Sequence, residues 1–259
     1  MADAAVGRRH RTFLETRRID KWWGPQLATF LVFTFFLIYV HVVMFYGAHY
    51  WHGPYLSPFF SPELWGNSPH ALFGPPPGWL PSWYSPAMAI LIFPAGFRFS
   101  CYYYRGAYYK AFWGDPPGCA VGEPRTSYRG EQKFPLILQN VHRFFLYAAL
   151  VFIGLLSWDV WNATQFADGF GIGVGTVIMA VNVGLIASYT LGCHSLRHLI
   201  GGKKDVLPKG AVGRACYQSC TALNKRHALW AWLSLFSVMG TDVYIRLCSM
   251  GIITDLRII

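Results

Sequence analysis

Four stretches of this chain are long and apolar enough to cross a membrane, and a fifth is nearly as clear. They run over 27–46, 86–104, 134–158, 171–194 and 227–250. About 20 apolar residues at 1.5 Å per residue cross the hydrocarbon core of a bilayer. Lipid offers backbone N–H and C=O groups no partner, so each stretch must pair its own and form a helix. No remaining stretch is long enough to build a core of its own. With 54% hydrophobic and 13% charged residues, the chain is too apolar for an ordinary soluble domain. The expectation is an all-α integral membrane protein: an arm at 1–23, then five transmembrane helices in one bundle over 24–259. The second and fourth helices run on past the membrane surface, giving 86–112 and 171–199. The first run is too long for the apolar core of a secretory signal and lacks a small-residue cleavage site.

Lys and Arg alternate between the connections. The arm carries Arg8, Arg9, Arg11, Arg17, Arg18 and Lys21, and none follows from Tyr46 to Met88. The next connection carries Arg105, Lys110, Arg125, Arg129 and Lys133, and 159–171 again carries none. Then come Arg197, Lys203, Lys204, Lys209, Arg214, Lys225 and Arg226. Basic connections stay on the cytoplasmic side. The N-terminus is therefore expected inside and the C-terminus outside, in a multi-pass protein of the cell (inner) membrane. The net charge of +10 is that inner face, so no nucleic-acid partner is implied. Such a face also suits an acidic protein partner or anionic lipid.

Five of the six cysteines fall on the inner side, where thiols stay reduced; only Cys248 lies near the outer end. Histidines gather at the same inner end. The metal-ligating candidates are Cys101, Cys119, His142, Cys193, His194, His198 and His227, with Cys216 better read as a packing residue and Cys220 balanced between packing and ligation. His10, His49, His52 and His70 belong to the arm and outer loop, and His41 is the candidate for an outer site. The outer loop, 47–85, is rich in Pro, Trp and Tyr and poor in charge, which suits a position in the interface. Pro94 should kink the second span.

Each residue turns about 100° from the last along a helix, which sorts these side chains onto faces. His227 shares a stripe with Ala231, Ser234, Val238 and Thr241, with Asp242 at its edge. Asn182, Tyr189 and Cys193 line up on the fourth span, and His142 stacks with Gln139, Leu146 and Ala149 on the third. Arg98, Cys101 and Arg105 share a narrow sector of the second. Small and polar stripes face the bundle rather than lipid. Arg98 and Arg143 sit deeper than interface residues should, so each is expected to meet an anionic or strongly polar partner.

A lone cysteine in a membrane helix is usually a packing residue, whereas a buried histidine there is costly and more often functional. Several soft donors near one membrane surface point to a redox centre. One reading is haem b held by His142, His194 or His198, and His227. Another is an iron–sulfur centre of mixed Cys and His ligation. Structural zinc is a third, and a cofactor-free scaffold or transporter subunit a fourth. Buried acidic residues or broken helices would favour a transporter, and only Asp242 and Pro94 offer either.

The segments Phe97-Arg-Phe-Ser-Cys-Tyr-Tyr-Tyr-Arg-Gly-Ala-Tyr-Tyr-Lys, Asp115-Pro-Pro-Gly-Cys-Ala-Val, Phe134-Pro-Leu-Ile-Leu-Gln-Asn-Val-His-Arg, Gly192-Cys-His-Ser-Leu-Arg-His and Asn224-Lys-Arg-His carry a family resemblance. In their order and spacing the chain resembles the single-chain, five-helix membrane anchor of succinate dehydrogenase (respiratory complex II) of the actinobacterial type. The resemblance implies a flavoprotein partner that oxidises succinate and an iron–sulfur partner that relays electrons. It implies electron transport to a quinone, menaquinone or ubiquinone, in step with the tricarboxylic acid cycle. It also implies a Rieske-type [2Fe–2S] cluster within the membrane, held by two cysteines and two histidines, in place of haem. By helix face Cys193 and His227 rank first as ligands, His142 and Cys101 next, then His198, Cys119 and His194. A quinone carbonyl needs donors, and Arg98, Ser100, Tyr104 and Asn140 are the quinone-binding candidates.

Overall fold

The computed structural model describes residues 11–81, 83–125, 132–134, 136–202 and 210–259. Arg8, Arg9, His10, Arg129, Pro135, Lys203, Lys204 and Lys209 lie outside the described residues. The chain is mostly helical. Helix α1 spans Gly24–Tyr46; α2 Pro86–Ile90, α3 Ile92–Phe99 and α4 Tyr102–Phe112 follow in close succession. A 3-10 turn at Leu136–Val141 leads into α5, His142–Asn162. Then come α6 Val174–Leu191, α7 His194–Gly201, α8 Ala211–Asn224 and α9 His227–Ser249. Among the described residues four helical segments are long and apolar enough to cross a membrane: Gly24–Tyr46, Leu136–Asn162, Val174–Leu191 and His227–Ser249.

The second expected span is three short helices rather than one continuous rod. Pro94 has no N–H for the carbonyl of Ile90, and its ring crowds that carbonyl, so α2 ends there. The hydrogen bonds on either side survive, Leu91 N to Ala87 O and Ala95 N to Leu91 O, both 3.0 Å. The second break is at Cys101, which is extended and serves as the N-cap of α4. Helix α8 also departs from expectation, since that stretch reads as a basic connection.

Contacts gather into two units, Met1–Leu37 with Phe99–Gln139, and Ile38–Arg98 with Asn140–Ile259. In the first, the arm pairs with the loop after α4: Leu14 N bonds Gly122 O at 3.0 Å and Gly122 N bonds Glu15 O at 2.9 Å. Arg18 Nη1 donates to Cys119 O at 2.9 Å. Phe30 meets Phe112 with ring centroids 4.8 Å apart, joining α1 to α4.

The second unit is built on α5, α6 and α9, with α6 packed between the other two. Its core includes Tyr55, Ala163, Met179 and Ile245. The loop after α1 contributes much of the packing: in and after the hairpin of β1 (Trp51–His52) and β2 (Tyr55–Leu56), residues Tyr55, Ser57, Phe60 and Glu63 are buried. A second hairpin, β3 (Gln165–Phe166) with β4 (Gly169–Phe170), joins α5 to α6. The C-terminal tail caps α6: Asp255 accepts from Gly175 N at 2.9 Å, Tyr55 Oη at 2.7 Å and Tyr244 Oη at 2.6 Å. A carboxylate there meets the unpaired N–H groups of a helix start. The polar stripes read from helical spacing are buried, with Ala231, Ser234, Val238, Thr241 and Asp242 on α9 and Asn182 and Tyr189 on α6.

Candidate functional site: an aromatic and imidazole stack at the helix ends

Two close packings place the site in the second unit. A Cβ on Gly96 would lie 2.3 Å from the Phe145 ring, so only glycine lets the start of α5 approach α3 this closely. That approach lays the His142 ring on Phe97, with centroids 4.7 Å apart and planes 9° from parallel. At the end of α6, a Cβ on Gly192 would meet Ser188 O at 2.9 Å and Leu223 Cβ at 3.1 Å. Asn224 Nδ2 donates to Gly192 O at 2.8 Å, tying the end of α8 to this turn. The turn delivers Cys193, the buried N-cap of α7.

His142 Nε2 lies 3.1 Å from Cys193 Sγ. An imidazole and a thiol from two different elements thus meet in a buried place. His142 is steadied further by a backbone hydrogen bond at Phe97. Phe97 also stands edge-on to Tyr189 at 5.4 Å, and Tyr189 stacks on His227 at 4.9 Å. The four rings form a continuous run, His142, Phe97, Tyr189, His227. Over Tyr189 sits the Arg98 guanidinium, 4.8 Å from the ring centre. Arg98 Nη2 donates to Ser234 Oγ at 3.0 Å and Nη1 to Ala231 O at 3.3 Å. Cation over ring and two hydrogen bonds satisfy a charge that lipid could not. Cys220 Sγ points at Cys193 O from 3.9 Å, and burial pushes its thiol pKa up against the smaller opposing pull of Arg197.

The remaining sequence candidates lie elsewhere. His194 and His198 are exposed on α7, where His198 Nδ1 faces Arg143 Nη2 at 3.2 Å. Asn140 is exposed in the 3-10 turn, and His41 is exposed on α1. In the first unit, Ser100, Cys101 and Tyr104 are buried and Cys119 is exposed in the loop held by the arm. Arg105 there donates to Gln139 Oε1 at 2.9 Å and lies over Tyr102. Among the described residues no three His, Cys, Asp or Glu side chains stand together at metal-binding spacing. Phe97 and Ser234 were not singled out for chemistry by sequence. Tyr189 stood on the inward stripe of the fourth span, and that was the one available signal for the stack.

Fold and site together define a multi-pass helical membrane protein that buries imidazole and thiol donors beside stacked rings. The family model described as actinobacterial succinate dehydrogenase subunit SdhC matches residues 24–251, and the chain belongs to that family. It is thus a membrane subunit of succinate dehydrogenase. The chain is also similar to one in a solved structure, "Mycobacterium smegmatis Sdh1 complex in the apo form", at 42% identity. That similarity covers 98% of this chain and 97% of the other, with a TM-score of 0.89. No curated protein matches the chain.

Proposed function

We propose that this subunit anchors the flavoprotein and iron–sulfur subunits of succinate dehydrogenase at the inner membrane and delivers their electrons to a quinone. Five spans place the arm and the basic connections in the cytoplasm, where they form the docking face for the iron–sulfur subunit. Two electrons and two protons convert the quinone to quinol.

The contact between His142 Nε2 and Cys193 Sγ, 3.1 Å, is the observation that carries a metal centre here. A Rieske-type [2Fe–2S] cluster takes two thiolates on one iron and two imidazoles on the other, so a buried meeting of both donor types fits it in kind. His142 and Cys193 would supply one donor of each kind, and His227 with a second cysteine would have to close toward them to complete the set. Once bound, such a cluster stores and releases one electron. The chain's own part is to hold the donors: Phe97 and Tyr189 fix the planes of the two imidazoles, and second-layer contacts of this sort orient metal ligands. Arg98, Ser100, Tyr104 and Asn140 are proposed as quinone-binding residues on the sequence alone, since each carries a group that can donate to a carbonyl oxygen; Arg98 is the one at the stack described above. Arg98 is pinned by Ser234 and Ala231, which gives a quinone oxygen a fixed cation rather than a searching one.

The test is low-temperature EPR with a parallel optical spectrum on the purified complex reduced with dithionite. A Rieske-type signal at low average g, lost in Cys193→Ser and His227→Ala, is expected. Serine substitution of Cys101, Cys119 and Cys220 in turn then identifies the second thiolate. Haem α-bands, or only the signals of the iron–sulfur subunit, would overturn the reading.

A further inference from the structure

Arg143 occupies the first turn of α5 and is exposed. A cation there opposes the partial positive charge of a helix start, which favours an anion nearby. Among the described residues no carboxylate pairs with it; its hydrogen bond is to His198 Nδ1, which only accepts from it. The described connections that follow along the chain carry charge of the same sign, and α7, with Arg197, packs against α5. No Asp or Glu is described between Asp168 and Asp242, whereas Arg197, Arg214, Lys225, Arg226 and the exposed His194 are. Among the described residues, Arg143 therefore has no carboxylate paired with it.

Below Arg143 one face of α5 stays open along its whole length. Phe144, Tyr147, Val151, Trp158 and Trp161 are all exposed, and they fall with Arg143 within about 100° of helix surface. Midway, a Cβ on Gly154 would meet nothing within 4 Å. The face therefore reads, from one end to the other, as a cation, two rings, a shallow gap and a pair of indoles. In a membrane-spanning helix this matches an amphiphile with an anionic head and a long chain.

From this juxtaposition we infer that Arg143 and the open face of α5 form a binding site for an anionic phospholipid. The guanidinium grips the phosphodiester with paired N–H groups, His198 holding it toward the membrane surface. One acyl chain runs over Tyr147 and Val151 and settles in the gap at Gly154. The inference is independent of the metal centre and of the quinone.

The experiment uses the whole purified complex in nanodiscs of phosphatidylcholine with a photoreactive phosphatidylglycerol, and peptide mapping of the labelled sites. Label is expected on 144–158, displaced by unlabelled phosphatidylglycerol and untouched by phosphatidylcholine or inorganic phosphate. Arg143→Gln should lower the labelling about fivefold, the contribution typical of one basic residue at an anionic membrane surface. Arg143→Lys, which keeps the charge but loses the fork, should lower it less. Equal labelling by a photoreactive phosphatidylcholine would overturn the site, as would full labelling in Arg143→Gln. Displacement by inorganic phosphate would reduce it to an anion site, and a cross-link between two copies of α5 would assign the face to a second copy. Should the variants fail to assemble, the head-group comparison on the unaltered complex decides alone.

Discussion

Asp242 is 0% exposed in a span that should lie in hydrocarbon, and it is kept there by its neighbours. Arg246 Nε, one helical turn on, donates to its Oδ2 at 2.8 Å. Tyr39 Oη donates to the same oxygen and Ser57 Oγ to the other. Arg246 Nη1 then donates to Ala48 O and the guanidinium lies over Phe60. The pair thus ties α1 and the loop after it to α9. Removing one partner of a buried pair leaves the other charge uncompensated, which costs about 3–5 kcal/mol. Asp242→Ala should therefore lower the melting temperature of the detergent-purified complex sharply, and more than Asp168→Ala, whose ion pair with Arg257 is exposed. Equal shifts would mean the network is not what holds that loop. Helical spacing made Asp242 legible, because it borders a small and polar stripe. The partners of the Asp242–Arg246 pair were not: Ser57 and Ala48 lie in a loop without periodicity, and Tyr39 lies on an apolar helix with no polar stripe to mark it.

Helix boundaries show a similar division. The four long spans follow directly from apolar length, and Pro94 marks the first break in the remaining one. The second break, at Cys101, has no comparable marker. Helix α8 was hidden because Ala211–Asn224 is short and only weakly apolar, mixing small and polar residues with Arg214 between basic neighbours. The site was legible by residue type and face, as in His142, Cys193 and His227. Its stacking was not, since ring-on-ring contacts between helices depend on how closely glycines such as Gly96 let them approach. The break before α3 sets the direction of Phe97 and Arg98, which gives Pro94 a testable consequence. Pro94→Ala restores the hydrogen bond to Ile90 and straightens α2 into α3, so the complex should assemble with unchanged or higher thermal stability. Arg98 would leave its place over Tyr189, and succinate-to-quinone turnover should fall severalfold while succinate oxidation with a soluble dye is kept. Unchanged quinone turnover would show that the kink does not position Arg98.

At the scale of the whole molecule, the proposed five crossings depend on whether the broken α2–α4 segment spans the membrane. Its pieces are short, so among the described residues helix length alone supports four crossings, and the distribution of charge argues for the fifth. Four and five crossings place every later connection on opposite sides. Cys119 and Cys216 are exposed native thiols in the second and third basic connections, and Asp168 is exposed at the tip of the β3–β4 hairpin. With five crossings and a cytoplasmic N-terminus, a membrane-impermeant maleimide should reach Cys119 and Cys216 in inside-out vesicles, once docked subunits are stripped, and spare them in intact cells. Asp168→Cys should show the opposite pattern. With four crossings all three patterns invert, and the basic connections after α4 and α7 would then face outward against the bias that retains Lys and Arg in the cytoplasm. The inverted pattern would also remove the docking face proposed for the iron–sulfur subunit. The labelling therefore tests topology and partner docking together, while EPR tests the metal centre separately.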